Sequence, residues 1–225
     1  LGAGVTGFEP GERDSKILAP AGPAARLWRI VMTRAWLSCV AVASVLLWAP
    51  PASAAVSGAA PVKGQLPLLI TNAGQGPGAK MSGLLVRRAG VEFDYNAEPQ
   101  PADLKAKPYK TLMVVLGSTA KGLGASGITI DQEIDRLNAM MAGAKKLKLQ
   151  IVCVLLEGKT RRGKPGGADE RCIDAIAPFA NALVIKKDGN EDGRFDAIAK
   201  KTGAPLTFID DSMDFGEVVK AMYAK

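Results

Sequence analysis

Apolar and polar positions alternate in blocks along the second three quarters of the chain. Short apolar runs, each six or so residues long, are separated by stretches with a helical period. Pro67 to Thr71 reads as a first strand and Ala79 to Ala89 as a helix closed by Gly90. Val91 to Asn96 alternates apolar with polar residues, the mark of a half-exposed strand. Thr111 to Gly117 and Gln150 to Leu156 are unbroken apolar runs, as strands buried on both faces are. Between them, Asp131 to Lys148 places Ile134, Leu137, Met141 and Ala144 on one helical face, with Thr129 or Asp131 available as a cap. Asp169 to Phe179, Arg194 to Lys201 (stopped by Gly203) and Phe215 to Tyr223 read as further helices. Ala182 to Ile185 and Pro205 to Ile209 read as the last two strands.

Strand–helix alternation of this kind predicts an α/β, doubly wound, mostly parallel six-stranded sheet, a flavodoxin-like or Rossmann-like three-layer sandwich. The polarity of the second strand decides its order. Glu92 and Asp94 are costly to bury, so that strand belongs at an edge, giving the order 2-1-3-4-5-6. Strands one and three then lie side by side at the switch point, where such sheets hold ligands.

Upstream of this domain the pattern changes. From Met32, a positive Arg34 precedes the uncharged apolar run Ala35 to Ala49, and Ala52-Ser-Ala54 is a small-x-small cleavage motif. This is the form of a secretory signal peptide over residues 32–54, and the run is shorter than the ~20 apolar residues of a membrane span. Residues 1–31 are expected to be an upstream leader and not part of the fold. Residues 55–65, rich in Gly, Ala and Pro, are expected to be a flexible tether, and 66–225 a single domain. The expected location is therefore periplasmic or secreted, with no stable membrane span after cleavage.

Charge and composition narrow the chemistry. The chain carries 29 Lys and Arg against 22 Asp and Glu, a formal charge of +7, spread with mixed sign and few aromatics. Nucleic-acid binding needs a concentrated basic face, so none is expected. There is no histidine. That excludes Ser-His-Asp and Cys-His catalysis and every His-containing metal site. Cys39 falls in the signal segment. Export permits a Cys153–Cys172 disulfide, but two buried free thiols are the favoured expectation.

Two Gly-rich loops follow strands one and three: Asn72-Ala-Gly-Gln-Gly-Pro-Gly78 and Ser118-Thr-Ala-Lys-Gly-Leu-Gly-Ala-Ser-Gly127. Small residues there admit a ligand close to the backbone, helix starts favour an anion, and Lys121 adds a full charge. The candidate binding residues are Asn72, Gly74, Gln75, Gly76, Ser118, Lys121, Gly122 and Gly124. Arg161 and Arg162 join them from a basic loop after strand four. Nucleotide motifs fail on spacing. The glycines of Gly117 to Gly124 are one residue too widely spaced for a short-chain dehydrogenase loop, and Gly158-Lys-Thr160 lacks the Walker glycine at position 153. Asp188, Asn190 and Asp192, with Gly193 next, match the first half of a calcium loop, but Ala199 stands where its bidentate Glu belongs. Calcium is the one cofactor with any sequence support.

The motifs Ile70-Thr-Asn-Ala-Gly-Gln75, Lys110-Thr-Leu112, Gly117 to Gly127, Arg161-Arg-Gly163, Ala177-Pro-Phe-Ala180 and Lys187-Asp-Gly-Asn-Glu-Asp-Gly193 carry a resemblance. Over nearly all of residues 66–222 the chain resembles a family of small exported bacterial α/β proteins classed as a domain of unknown function. The resemblance implies the fold and export, and no activity. The first expectation is thus an exported binding or transport-accessory protein for a small anion. The alternatives are an oxygen-ligated metal hydrolase using Glu157, Asp188, Asp192 and Asp210, and a structural interaction module. Carboxylates converging on one pocket favour the hydrolase; a pocket lined by N–H groups, Lys and Arg favours the binder.

Overall fold

The computed structural model describes residues 55–224, so the expected leader, signal segment and Cys39 lie outside the described residues. The described residues form one seven-stranded sheet. Its strands are β1 (Val56–Gly58), β2 (Leu68–Ala73), β3 (Asp94–Tyr95), β4 (Thr111–Leu116), β5 (Gln150–Leu155), β6 (Ala182–Lys186) and β7 (Leu206–Ile209). The order across the sheet is β1-β7-β6-β5-β4-β2-β3. From β3 to β7 all pairings are parallel and follow the order predicted from the polarity of Glu92 and Asp94. Edge strand β3 is shorter than expected, only two residues long. Asp94 there is paired with Lys107 at 2.7 Å and accepts a hydrogen bond from the Tyr109 hydroxyl at 2.8 Å.

The seventh strand corrects the expected tether. Val56–Gly58 runs antiparallel to β7 and covers what would otherwise be an open sheet edge. The strap that follows is pinned as well. Ala59 N–H donates to the Leu206 carbonyl, Gly64 N–H to the Met222 carbonyl, and Gln65 N–H to the Thr111 hydroxyl. Three residues are too few to show an alternating pattern, which is why composition alone reads this segment as a linker.

Both faces of the sheet are covered. On one side Leu112, Val114 and Leu116 of β4 pack with the helices α3 (Ile130–Lys146), α4 (Ala168–Ile176) and α5 (Arg194–Thr202). On the other, Met113 and Val115 meet α1 (Gly78–Arg88) and α6 (Phe215–Tyr223). Two-sided burial is the reason the central strands are uninterrupted apolar runs. Cys153 on β5 and Cys172 on α4 are buried free thiols. Burial pushes both thiols up, Cys172 to about 12, so neither is a nucleophile at neutral pH.

A short helix, α2 (Ala120–Ala125), was not expected within the second Gly-rich loop. Two glycines mask its propensity, but the Thr119 hydroxyl accepts from Gly122 N–H at 2.9 Å and Leu123 is buried as an anchor. Thr129 caps α3 through a reciprocal capping box with Gln132, and Gly203 closes α5 in the left-handed conformation at φ 76°.

Gly58 tests the strap. It sits at φ +80°, and a Cβ there falls 2.6 Å from the Leu206 carbonyl oxygen. Gly58→Val is expected to lower stability by about 1–3 kcal/mol, read from the urea midpoint. An unchanged midpoint shows the segment to be a free tether after all.

Candidate functional site

The two Gly-rich loops meet at the carboxyl end of the sheet, where β2 and β4 are neighbours. Gln75 and Ser118 form a single antiparallel bridge. Gly76 N–H donates to the Gly117 carbonyl at 2.9 Å, and Thr119 N–H donates to the Gly74 carbonyl at 3.0 Å. The glycines make this contact physically possible. A Cβ on Gly74 falls 2.6 Å from Ser118 Cα, one on Gly76 2.5 Å from the Gly117 oxygen, and one on Gly122 1.9 Å from the Gln75 oxygen. These three glycines therefore admit the opposite loop, where the sequence reading had them admitting a ligand. Gly124 has open space around it. Gln75 itself is held at φ 59°, unusual for a residue with a side chain.

A buried ion pair locks this junction from below. Arg136 Nε lies 2.8 Å from Glu133 Oε2, with side-chain exposures of 7% and 0%. Glu133 Oε1 accepts from Gly74 N–H at 2.8 Å, while Arg136 donates to the Asn72 carbonyl at 3.1 Å. Burial alone raises the Glu133 pKa, but the hydrogen bonds from Arg136 and Gly74 outweigh it and leave the carboxyl below its ordinary value. Sequence reasoning missed the pair. Its signal is a Glu and an Arg three apart, on the same stripe of α3 as Leu137, Met140 and Ala144.

Above the junction lies a cavity of about 520 Å³. Of the expected residues, Asn72, Gln75, Gly76, Lys121, Gly122 and Arg161 line it. Gly74 and Ser118 are buried behind its wall. Lys80 from α1 and Tyr95 from β3 also line it and were not expected. Asn72 Nδ2 donates to the Tyr95 hydroxyl at 3.3 Å, tying the edge strand to the crevice. Lys80 and Lys121 bring positive charge to the cavity, the Arg161 guanidinium is already paired with Glu157, and Glu98 is the only carboxylate in the lining among the described residues.

The loops after β5 and β6 are consumed by their own ion pairs. Arg161 donates to Glu157 Oε1 at 2.8 Å. Arg162 does not reach the crevice. It pairs with Glu170 at 2.7 Å and Asp192 at 2.6 Å, and Arg194 joins Glu170 and Asp174. Asp188 pairs with Lys186 at 2.7 Å, and Asp210 pairs with Lys187. Asn190 Oδ1 accepts from Phe195 N–H at 2.7 Å, the role of a helix cap. Asp188, Asn190 and Asp192 thus point to three different partners. Among the described residues no group of three His, Cys, Asp or Glu side chains is placed to hold a metal ion. Glu157, Asp188, Asp192 and Asp210 do not converge either.

The family model described as "Domain of unknown function (DUF6305)" matches residues 65–223. The chain belongs to the DUF6305 family. No curated protein sequence matches it. Among solved structures, this DUF6305 chain is similar to a GDP-L-fucose synthetase from Naegleria fowleri bound to NADP, at TM-score 0.34 and 9% identity over 70% of this chain. It spans about half of that enzyme, 52% of its length. It is also similar to the psychrotrophic esterase EstA from Pseudoalteromonas sp. (TM-score 0.28, 8% identity, 69% of this chain and 92% of the esterase). A third likeness is to AlinE4, an SGNH-hydrolase family esterase (TM-score 0.28, 16% identity, 67% and 76%). At these scores the likenesses carry no argument about activity.

The DUF6305 domain has a larger cavity, about 810 Å³, at the opposite edge, by the amino ends of β5 and β6. Lys145, Lys148 and Lys201 line it, but they sit at the carboxyl ends of α3 and α5, whose negative dipole ends they complement. Among the described residues no helix is long and apolar enough to cross a membrane.

Two outcomes follow from the charges. Arg136→Met strands Glu133 in the interior and is expected to cost about 3–5 kcal/mol, with much of the loss recovered when Glu133→Met is added. Denaturant midpoints of the single and double variants measure this; a harmless single variant refutes the lock. The second outcome concerns acid. The Arg162 hydrogen bond holds Asp192 at about 2, below its ordinary 3.8, and Glu170 is lowered in the same sense. Depressed carboxyl pKa values stabilise the fold above the unfolded value, and that stability drains as pH falls. The midpoint is expected to drop between about pH 4 and pH 2, and this slope should flatten in Arg162→Ala. Asp169, raised by burial, works in the opposite direction and sets a limit on the effect.

Proposed function

We propose that this protein is an exported binding protein that holds a small anionic molecule in the switch-point crevice. The observation that carries the reading is the placing of Lys80 and Lys121, beside the Glu157-paired Arg161, around one cavity of about 520 Å³, small-molecule size, with Glu98 the only acid in its lining among the described residues. The start of α1 adds to it. This eleven-residue helix opens beside the crevice at Gly78, with no side-chain cap and no acidic residue in its first turn. Its free N–H groups and dipole favour negative charge.

The same geometry favours binding over hydrolysis. Each rim carboxylate considered for metal chemistry has a basic partner of its own, and they are not gathered into one group. The reading of export rests on the signal pattern from Met32 to Ala54. An exported binder of this kind delivers its ligand to a partner or withholds it, and needs no catalytic group.

Isothermal titration with phosphate, succinate and acetate tests the proposal. Binding of at least one is expected, weakening with added salt as surface ion pairing does. Lys121→Ala or Lys80→Ala should weaken it about fivefold each, the loss of roughly 1 kcal/mol of exposed charge contact. Affinities that ignore both lysines, or no binding of any of the three, contradict the reading.

A further inference from the structure

We infer that the larger cavity, at the amino edge of the sheet, is a second binding site, and that it takes an organic acid with an apolar body. The carboxylate of that acid is carried on an alkyl chain or an aromatic ring. The inference is independent of the crevice reading, because the two cavities share no lining residue.

The walls are of two kinds. The cavity, about 810 Å³, falls within the range of roughly 300–1,000 Å³ of small-molecule sites. Leu149, Ile151, Pro178, Phe179 and Ile198 give it an apolar side. Phe179 is left 37% exposed, although it is a large apolar side chain. Its ring is engaged by Lys145, whose Nζ lies 5.0 Å from the ring centroid. That contact brings an ammonium group to the apolar side.

The other wall is cationic. Lys145, Lys148 and Lys201 line it together with Arg194, and Asp174 is the only acid there among the described residues. Asp174 pairs with Arg194 at 2.5 Å, so the lining offers the three lysines no acid of their own. The carboxyl ends of α3 and α5 bring only about half a negative charge each. Three full positive charges exceed that, and the cavity keeps a positive surplus.

Lys148 adds an independent observation. Helix α3 ends in a Schellman turn: Leu149 N–H donates to the Ala144 carbonyl and Lys148 N–H to the Lys145 carbonyl, both at 3.0 Å. Such a turn needs a left-handed residue. Helices α1 and α5 close on glycine, Gly90 at φ 77° and Gly203 at φ 76°, whereas α3 closes on Lys148 at φ 55°. A side chain costs stability at such a position, and strain of this kind gathers at binding sites. What it delivers here is a third ammonium at the cavity. The two walls together select the ligand. An inorganic anion leaves the apolar side wet, a hydrocarbon leaves the lysines unmatched, and a cation is repelled. An acid with an apolar body covers Phe179 and Ile198 while its carboxylate meets the lysines.

The test is calorimetric titration of the full chain with octanoate, acetate and octan-1-ol, and with 3-phenylpropionate and 3-phenylpropan-1-ol. At least one of the two longer acids is expected to bind about tenfold tighter than acetate, the effect of burying roughly two methylene groups. It should also bind several-fold tighter than its own alcohol, which lacks the charge. A preference for either acid supports the inference and separates the alkyl from the aryl source. Lys148→Gly, which relieves the backbone and keeps the fold, and Lys201→Ala should each weaken the acid about threefold. Phe179→Ser should remove most of its advantage over acetate. Acids no tighter than acetate, or no tighter than their alcohols, overturn the inference. Affinity that ignores all three variants overturns it too; if it falls with Lys121→Ala instead, the acid sits in the crevice and the crevice reading stands. Phosphate and succinate carry no such apolar body, so their failure to bind counts against the crevice reading alone.

Discussion

Glu133 and Arg136 occupy the buried stripe of α3, among Leu137, Met140, Met141 and Ala144. Removing two charges from water costs several kcal/mol per ion, and only good geometry recovers it. Here the geometry includes the backbone of the first Gly-rich loop. Gly74 N–H and the Asn72 carbonyl are as much a part of the pair as the two side chains. Any shift of that loop away from α3 leaves both ions short of partners in the interior. The end of β2 is therefore held, and with it the position of Gln75, whose oxygen lies where only a glycine at 122 can stand.

This constraint passes outward. With Gln75 held, the loop after β4 docks against it, Thr119 caps α2, and Lys121 is delivered to the rim. Ser118 N–H reaches the Asp169 carboxylate at 2.6 Å, which ties the same loop to α4. The crevice is thus a seam between two braced loops. Its polar groups are therefore held in fixed orientations by the fold itself.

Much of the architecture was legible because it follows from periodicity. Continuous apolar runs predict strands buried on both faces, and Glu92 and Asp94 predict an edge. The switch point followed from strand order. Three features were not legible. The strand Val56–Gly58 is too short for a pattern. Helix α2 is hidden by two glycines, although Thr119 and Leu123 are its cap and anchor. The destinations of Arg161 and Arg162, adjacent in sequence, differ completely. One lines the crevice, and the other joins Glu170 and Asp192. Nothing local in Arg-Arg distinguishes them, because the acids that claim Arg162 lie 8 and 30 residues away.

Read alone, the chain determined the layers, the strand order and the edge of the sheet on which to look, because burial and hydrogen bonding leave a characteristic period in the sequence. Tertiary structure decided which charges are spent. Asp188, Asp192, Asp210 and Arg162, all inviting as a motif, are matched within the fold, while Lys80 and Lys121 line the crevice. Charge matching is a matter of distance in space, and it has no period to read.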